Sequence, residues 1–405
     1  MVPAFGRGGT LLKVLSLFDG MACGAITFDS LGIPVDRYVA YEIDKYATKT
    51  ATHNFPNIEE CGDVFEADFT AYQDFDWLIG GSPCTFWSIA KTTHRETTAS
   101  GLGWELFSQY VRALHEAKPK FFLYENNKSM SPAIRAQISE TFGFEPICIN
   151  SALVSAQNRQ RLYWVGCRNV DGSYSQVPIE QPEDHGTFLR DILETTTSEK
   201  GYALSELKLL SEKEMAYMLR ETKDGRNHFD FDHFHDASQA KSSCVTANTY
   251  WGVPYNVLAE PARVGTIEHT AQNRDFDSQQ YRVYSPDGKS VTQCGNGGGL
   301  GAKTGLYMTP ISSTDGDGFR YPIYEVRDGK LIFNGEPFAV KMKDGIYMIR
   351  KLTVTECKRL QTVPDTYEFP VSDTQAYKML GNGWTVEVIK HLIQSTYNFA
   401  KEELI

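Results

Sequence analysis

Leu11-Leu12-Lys13-Val14-Leu15-Ser16-Leu17-Phe18 is an apolar run. Asp19-Gly20-Met21-Ala22-Cys23-Gly24 follows it as a glycine-bearing turn, and Ala25 to Leu31 continues as a helical stretch. Strand, glycine turn and helix in that order make the opening unit of a Rossmann-type α/β fold. The glycines let a ligand approach the backbone closely, and the start of the helix favours an anionic group such as a carboxylate. The turn is not Gly-x-Gly-x-x-Gly, so taken alone it reads equally well as an ordinary βα turn.

Outward from this unit, Arg37 to Tyr41 is a second strand that ends at Glu42. An acid at that tip suits the two hydroxyls of a ribose. Asp44 to Asn54 has a helical pattern, and Cys61-Gly62-Asp63-Val64 marks the tip of a short third strand, where Asp63 is placed to accept from an adenine amino group. Gly20 and Gly24, Glu42 and Asp63 thus stand at three successive strand ends. They outline a site for an adenosine-containing ligand, with NAD and S-adenosylmethionine fitting alike.

A second apolar run, Phe75-Asp76-Trp77-Leu78-Ile79, leads into Gly80-Gly81-Ser82-Pro83-Cys84-Thr85-Phe86-Trp87-Ser88. Two glycines allow a tight turn and Pro83 stiffens it, so a thiol sits on a rigid loop at a strand's C-terminal end. A thiolate there is a candidate nucleophile, although a lone cysteine is more often a small buried hydrophobe. The polar segment Lys91 to Gly103 lacks periodicity and reads as a mobile loop. Trp104 to Ala117 is an amphipathic helix, and Lys120 to Tyr124 is a buried strand delivering Glu125-Asn126-Asn127. A carboxyl at the end of so apolar a strand is expected to be desolvated, with its pKa raised towards that of a proton donor near neutrality. Ile147 to Val154 and Arg161 to Val165 read as a strand pair. Between them, alternation puts Gln157, Arg159 and Arg161 on one face, where two guanidiniums suit phosphate or an electron-rich base.

The 405 residues suffice for two domains, and 41% hydrophobic with 22% charged residues is a globular composition. No apolar run approaches the roughly 20 residues of a membrane span, and Met1 to Thr10 lacks a signal peptide's apolar core. The eight cysteines form no Cys-x-x-Cys pair, which points away from a disulfide framework or a thiolate zinc site and towards a reducing cytosol. A net charge of −11 excludes a surface that grips nucleic acid everywhere. It leaves room for a local basic cleft built from Arg159, Arg161 and Arg168 or from Arg350, Lys351, Lys358 and Arg359. From about Asp171 the βα texture gives way to short polar segments. Residues 171–345 read as a separate loop-rich domain with 18 Lys and Arg against 26 Asp and Glu, so it is no basic arm. Asp232-His233-Phe234-His235-Asp236 has no visible partner cluster, and the non-metal reading is preferred. Thr353 and Glu356 form a capping box that opens a helix running to Leu360 or Gln361. Gly381-Asn382-Gly383-Trp384-Thr385 precedes a last helix, Val386 to Phe399.

Together these motifs resemble the DNA (cytosine-5) methyltransferase family over nearly the whole chain, in the same block order and with a long variable insert. Phe18 to Gly24 resembles the family's cofactor loop, Gly81-Ser82-Pro83-Cys84 its nucleophile loop, Glu125-Asn126-Asn127 its Glu-Asn-Val, and Gln157-x-Arg159-x-Arg161 its Gln-x-Arg-x-Arg. Arg350-x-Leu-Thr-x-x-Glu-x-x-Arg359-Leu-Gln and Gly381-Asn382 resemble its last two blocks. The compact length resembles bacterial or phage enzymes. Ser16 to Gly20, Ile79 to Cys84 and the Trp384 segment resemble the animal de novo branch. Thr85 stands where many members have Gln, Asn127 where Val is usual, and Gly383-Trp384 where Ser-Val is common.

The resemblance implies a Rossmann-like, S-adenosylmethionine-dependent α/β catalytic domain over 1–170. It implies a smaller target-recognition domain over 171–345, and a hinge helix and C-terminal helix over 346–405 that return to the first domain. It implies Cys84 as nucleophile, Glu125 as proton donor, and Arg159 and Arg161 as groups that orient the base and stabilise the thiolate. Phe18, Asp19, Gly20, Met21, Gly24, Glu42, Ile43, Asp63, Val64, Pro83, Asn382 and Trp384 would bind S-adenosylmethionine, and Ser88 and Gln157 would face DNA. The implied partner is double-stranded DNA carrying a flipped-out cytosine, with Lys91 to Gly103 as lid. The setting is bacterial or phage-infected cytoplasm, as in restriction-modification. No metal and no membrane enter, and the chain is expected to be a monomer.

Within the insert, Lys241 to Asn248 followed by Thr249-Tyr250-Trp251-Gly252 resembles Lys289 to Asn296 followed by Gly297-Gly298-Gly299. Asn248, Tyr250, Trp251, Asn296, Gly297 and Gly298 are read as loops that enter the major groove, the alternative being two ordinary hairpins. Three other functions compete. Methylation of an RNA cytosine would use the same chemistry. An NAD-dependent oxidoreductase leaves Cys84 and Glu125 without a job. A DNA-binding module with dead chemistry is not supported, since every reactive group is present.

Overall fold

The computed structural model of this chain describes residues 12–88, 95–188, 191–192, 194, 263–266, 282–284, 306–310, 324–333, 336–339, 345–350 and 353–403. The first sheet contains β1 (Leu12–Leu17), β2 (Val35–Tyr41), β3 (Ile58–Glu60), β4 (Trp77–Gly80), β5 (Phe121–Asn127), β6 (Ile147–Asn150), β7 (Gln160–Arg168) and β8 (Tyr174–Gln176). Their order is β3-β2-β1-β4-β5-β7-β6, with β8 on β7. The pairs among β1 to β5 are parallel, whereas β7 runs antiparallel to β5, β6 and β8. The order turns between β1 and β4, so the crevice at their C-terminal ends is where this kind of sheet receives ligands. The Rossmann-like α/β expectation stands.

The helices are α1 (Cys23–Ser30), α2 (Lys45–Asn54), α3 (Leu102–Ala117), α4 (Pro132–Phe142), α5 (Val354–Leu360), α6 (Asp373–Asn382) and α7 (Val386–Glu403). Strand alternation sorts the core into two layers. Leu15, Leu78, Phe122 and Tyr124 pack with Phe107 and Tyr110 of α3 and Ile134 and Phe142 of α4. Val14, Trp77, Ile79 and Leu123 pack with Phe28 of α1 and Ile389, Leu392 and Tyr397 of α7. The C-terminal helix therefore closes one face of the N-terminal sheet. Gly24 is required here, because a Cβ on it would lie 2.3 Å from Ile79 Cδ1 and 2.5 Å from the Tyr38 hydroxyl.

A second sheet is formed by β9 (Arg263–Thr266), β10 (Arg282–Tyr284), β11 (Leu306–Pro310), β12 (Tyr324–Arg327), β13 (Lys330–Phe333), β14 (Glu336–Ala339) and β15 (Gly345–Arg350). Its order is β14-β13-β12-β15-β11-β10-β9, and only β10 with β11 is parallel. The first sheet reaches past residue 170. β8 pairs with β7, the Val177 N–H donates to Val165 O at 2.9 Å, and Ile192 packs with Cys357 and Leu360 of α5. β15 carries the second sheet on to Arg350, beyond residue 345.

Several boundaries differ from expectation. Glu125 to Asn127 lie inside β5, paired with Tyr163, Leu162 and Arg161 of β7, rather than beyond the strand's end. β7 begins only at Gln160, so Gln157 and Arg159 precede it and share no strand face with Arg161. Ile147 to Val154 ends as a strand at Asn150 and closes with a 3-10 turn, Ser151–Leu153, capped by the Asn150 side chain. The capping box of Thr353 and Glu356 is present.

Candidate active site

The backbone of the glycine turn is folded tightly. Phe18 and Ala22 take φ of 59° and Gly20 takes 61°, left-handed values that cost a non-glycine residue about 1 kcal/mol or more. Hydrogen bonds hold the strain. The Phe18 N–H donates to Tyr41 O at 2.8 Å, and the Gly20 N–H donates to Glu42 Oε2 at 2.9 Å. Ala22 offers no side-chain cap to α1, which leaves that helix start to the crevice.

Glu42 stands at the tip of β2 as expected, but it is already engaged. Its Oε1 accepts from the Ile43 and Asp44 N–H groups, both at 2.8 Å, beside the Gly20 contact on Oε2. A carboxylate has about four acceptor positions, so roughly one remains for a ribose hydroxyl. Asp63 Oδ1 accepts from Phe65 N–H at 3.0 Å as a turn cap, and Val64 is buried beneath it. Ile43 is 77% exposed and Phe65 46% exposed, apolar surfaces at the strand tips that suit the face of a purine.

The crevice is acidic. Asp19 Oδ1 accepts from the Ser16 hydroxyl and from the Tyr38 hydroxyl, the latter at 2.6 Å, while its buried Oδ2 has no partner among the described residues. Burial pushes this carboxyl up to about 6, against the pull of its two hydroxyl donors. Glu60, at the end of β3, was missed in the sequence, and both its buried oxygens lack partners among the described residues. Burial, then the charges of Asp19 and Glu42, push Glu60 up to about 8. Three carboxylates that face one another, two with orphaned oxygens, suit a cationic ligand. A cationic group suits such a crevice better than the pyrophosphate of NAD. The only sequence signal for Glu60 was its place three residues before Asp63.

Across the switch point lies the loop after β4. Ser82 is buried and its hydroxyl bonds the Tyr124 hydroxyl at 2.6 Å, while Asn126 Nδ2 donates to Ser82 O at 3.1 Å. Pro83 is exposed, and Cys84 opens a 3-10 turn, Cys84–Phe86. The Cys84 carbonyl accepts from Trp87 N–H at 3.1 Å, Ser88 N–H at 2.9 Å and Asn127 Nδ2 at 3.4 Å. Asn127, where Val was usual in the resemblance, therefore ties β5 to the thiol's own residue. A Cβ on Gly81 would lie 2.7 Å from Glu125 O and 3.0 Å from Glu125 Oε2, so this loop is pressed directly onto Glu125.

Glu125 and Arg161 form a buried pair, Nε to Oε1 at 3.1 Å, with side chains 12% and 10% exposed. The other oxygen, Oε2, accepts from Trp384 Nε1 at 3.0 Å. Burial raises the Glu125 carboxyl, against the opposing pull of Arg161, Arg159 and the indole, as the apolar strand implied. At the thiol, Arg161 and Arg159 act in the expected direction but are outweighed. Burial raises Cys84 despite Arg161 and Arg159, with Glu125 adding to the rise, so the ligand-free site holds a thiol and no stabilised thiolate.

Arg159 and Gln157 are spent inside the protein. Arg159 Nη2 donates to Gly381 O at 3.0 Å and Gly383 O at 2.9 Å. Gln157 Nε2 donates to Leu360 O at 3.1 Å and Gln361 Oε1 at 3.2 Å, and its side chain is wholly buried. Ser88 is likewise buried. Gln157 and Ser88, expected to face DNA, are thus both buried in the ligand-free chain. Gly381 and Asn382 end α6, and Trp384 starts the link to α7.

Part of the expected lid is also anchored. Arg95 donates to Trp87 O at 3.0 Å and Ser129 O at 2.7 Å, and Glu96 accepts from Trp87 Nε1 at 3.1 Å and Gly103 N–H at 3.2 Å. Residues 89–94 lie outside the described residues. So do Asn248, Tyr250, Trp251, Asn296, Gly297 and Gly298, and the segment Asp232 to Asp236. Among the described residues no cluster of His, Cys, Asp or Glu could hold a metal ion, and no helix is long and apolar enough to cross a membrane.

A family model described as C-5 cytosine-specific DNA methylase matches residues 12–398. The chain belongs to that family. Among curated relatives, the orphan methyltransferase M.SPRI of Bacillus phage SPR is 29% identical, across 95% of this chain and 97% of that protein. The type II methyltransferase M.HhaI of Haemophilus parahaemolyticus is 24% identical, across 96% of each. Among solved structures, S. pombe Dnmt2 methyltransferase has a TM-score of 0.54 at 15% identity, covering 94% of this chain and 97% of that one. The Entamoeba histolytica methyltransferase EhMeth has a TM-score of 0.56 at 11% identity, covering 96% and 99%. At such identities the likeness is one of fold.

Proposed function

We propose that this C-5 cytosine methyltransferase carries a methyl group from S-adenosylmethionine to C5 of a cytosine extruded from duplex DNA, through a covalent bond between Cys84 and C6. The observation that carries the reading is the contact of the Gly81–Cys84 loop with the buried Glu125–Arg161 pair. It sets the backbone of the loop that carries Cys84 against the carboxyl proposed as the acid.

Cytosine C5 is a poor nucleophile. Attack of the Cys84 sulfur on C6, with Glu125 donating its proton to N3, converts the ring into an enamine whose C5 carries the electron pair. S-adenosylmethionine supplies an electrophilic methyl on a sulfonium. Loss of the C5 proton to water, return of the N3 proton to Glu125 and expulsion of the Cys84 thiolate, which regains the proton it gave to solvent on attack, then restore the aromatic ring, the acid and the thiol. Asp19 and Glu60 would hold the cofactor's cationic groups, Glu42 a ribose hydroxyl, and Ile43 and Val64 the purine. Arg161 keeps Glu125 oriented. A stacked base cannot reach a half-buried thiol, which is why the target must leave the helix.

Duplex DNA carrying 5-fluorocytosine tests this, since that base cannot release its C5 substituent. A denaturation-resistant adduct is expected with wild-type protein and none with Cys84→Ala, which should still bind S-adenosylmethionine. Wild-type turnover with no adduct overturns the mechanism. A matching RNA strand, run in parallel, shows which nucleic acid is preferred.

A further inference from the structure

We propose that Trp384 is a positioning residue for Glu125, its indole N–H favouring the ionised carboxylate. The inference rests on Glu125 being the proton donor to the base. Oε2 of Glu125 accepts from Trp384 Nε1 at 3.0 Å and Oε1 accepts from Arg161 Nε at 3.1 Å. An indole N–H and a guanidinium N–H only donate. A carboxyl proton facing either of them would meet another hydrogen. A proton on Glu125 must take one of the remaining lone pairs, so both contacts favour the ionised carboxylate over the acid. The guanidinium contact is charge-assisted and the indole contact is not, so the indole contact is the weaker of the two.

The indole is held where it is by its own segment. The Trp384 carbonyl accepts from Cys23 Sγ at 3.9 Å. A Cβ on Gly383 would lie 3.2 Å from Cys23 Sγ and 3.5 Å from Met21 Sδ. Arg159 clamps the Gly381 and Gly383 carbonyls from the other side. A ligand seated on the Met21–Cys23 turn therefore bears on the same short segment that holds the acid, and crevice occupancy and Glu125 protonation share one element. The other ionisable groups facing Glu125 are Arg159 and Arg161 as cations and Cys84, Cys23, Tyr124 and Tyr163 as acids. With those cations and the burial of the site unchanged, removal of the indole donor shifts the acid upward.

The test is the titration of Glu125 in ligand-free, full-length protein, by carbon-13 NMR of side-chain-labelled glutamate with Glu125→Gln as the assignment control. In Trp384→Phe, Glu125 should titrate about one pH unit higher, and the alkaline limb of kcat/KM for methyl transfer should move up with it. A second measurement needs only wild-type folding. The Trp384 indole N–H resonance should shift with pH in step with Glu125 and lose that dependence in Glu125→Gln. An unmoved Glu125 titration in Trp384→Phe overturns the proposal, as does an indole resonance indifferent to Glu125. A variant whose rate loss merely tracks weakened S-adenosylmethionine affinity, with the titration unmoved, makes Trp384 a pocket wall and also overturns it. Absence of wild-type transfer would instead sink the functional reading, and the titration would still decide the Trp384 contact.

Discussion

Arg159 donates from Nη2 to the carbonyl of Gly383 at 2.9 Å, joining positions 224 residues apart in the chain. The same nitrogen reaches Gly381 O at 3.0 Å. Arg159→Met should leave both carbonyls without this donor while filling similar volume. A loss of about 2–4 kcal/mol in urea unfolding is expected, with weaker S-adenosylmethionine binding. Wild-type stability and cofactor affinity would return Arg159 to the role of a base-facing group.

Gly81→Ala probes the fit between the nucleophile loop and the acid. Its methyl would meet Glu125 O at 2.7 Å, and a strand carbonyl cannot step aside. The loop should be displaced, lowering kcat by about 10²-fold with only modest loss of thermal stability. A variant with unchanged kcat contradicts the close approach.

Glu125→Gln keeps a hydrogen-bond donor beside Arg161 but cannot give up a proton. Methyl transfer should slow by about 10²- to 10⁴-fold while S-adenosylmethionine binding changes little. A rate matching wild type removes Glu125 from the acid role.

Glu60 makes a pH prediction. Its carboxyl is raised from 4.5 to about 8 in the folded chain. The folded state then holds this proton more tightly than the unfolded one, so its contribution to stability is present below 4.5 and lost as pH rises to about 8. Thermal unfolding of ligand-free Glu60→Gln should therefore be less pH-dependent than wild type across that window. S-adenosylmethionine should stabilise wild type increasingly as Glu60 ionises, and the variant less. Parallel wild-type and variant profiles would remove Glu60 from the crevice.

Much of the molecule was legible in one dimension because it depends on local chemistry. Apolar runs closed by Gly20, Glu42 and Gly81 fix parallel strands with ligand-facing tips, since burial on both faces demands such runs and turns demand such residues. Thr353 and Glu356 fix a helix start, because the capping box is completed within four residues. Cys84 and Glu125 were likewise singled out as candidates from what precedes them, and the raised Glu125 carboxyl follows from Phe121 to Tyr124.

What the sequence left open depends on long-range contact. Alternation put Gln157 and Arg159 on a face with Arg161, yet both side chains turn inward, because α5, α6 and the Gly381–Gly383 carbonyls arrive from more than 200 residues away. Whether the Cys84 thiol is ionised hangs on the balance of burial against Arg161 and Glu125, a sum over distances that no spacing records. Glu60 drew no reading from the sequence, and only the pairing of β1, β2 and β3 brought it within reach of the charges of Asp19 and Glu42. Trp384 met Glu125 only when the C-terminal helix closed the face of the first sheet. Local chemistry determined the strands, the turns and the reactive groups, because each is settled within a few residues. The partners of the buried charges were decided by the tertiary fold, because Coulomb and desolvation energies depend on separation in space and not on separation along the chain.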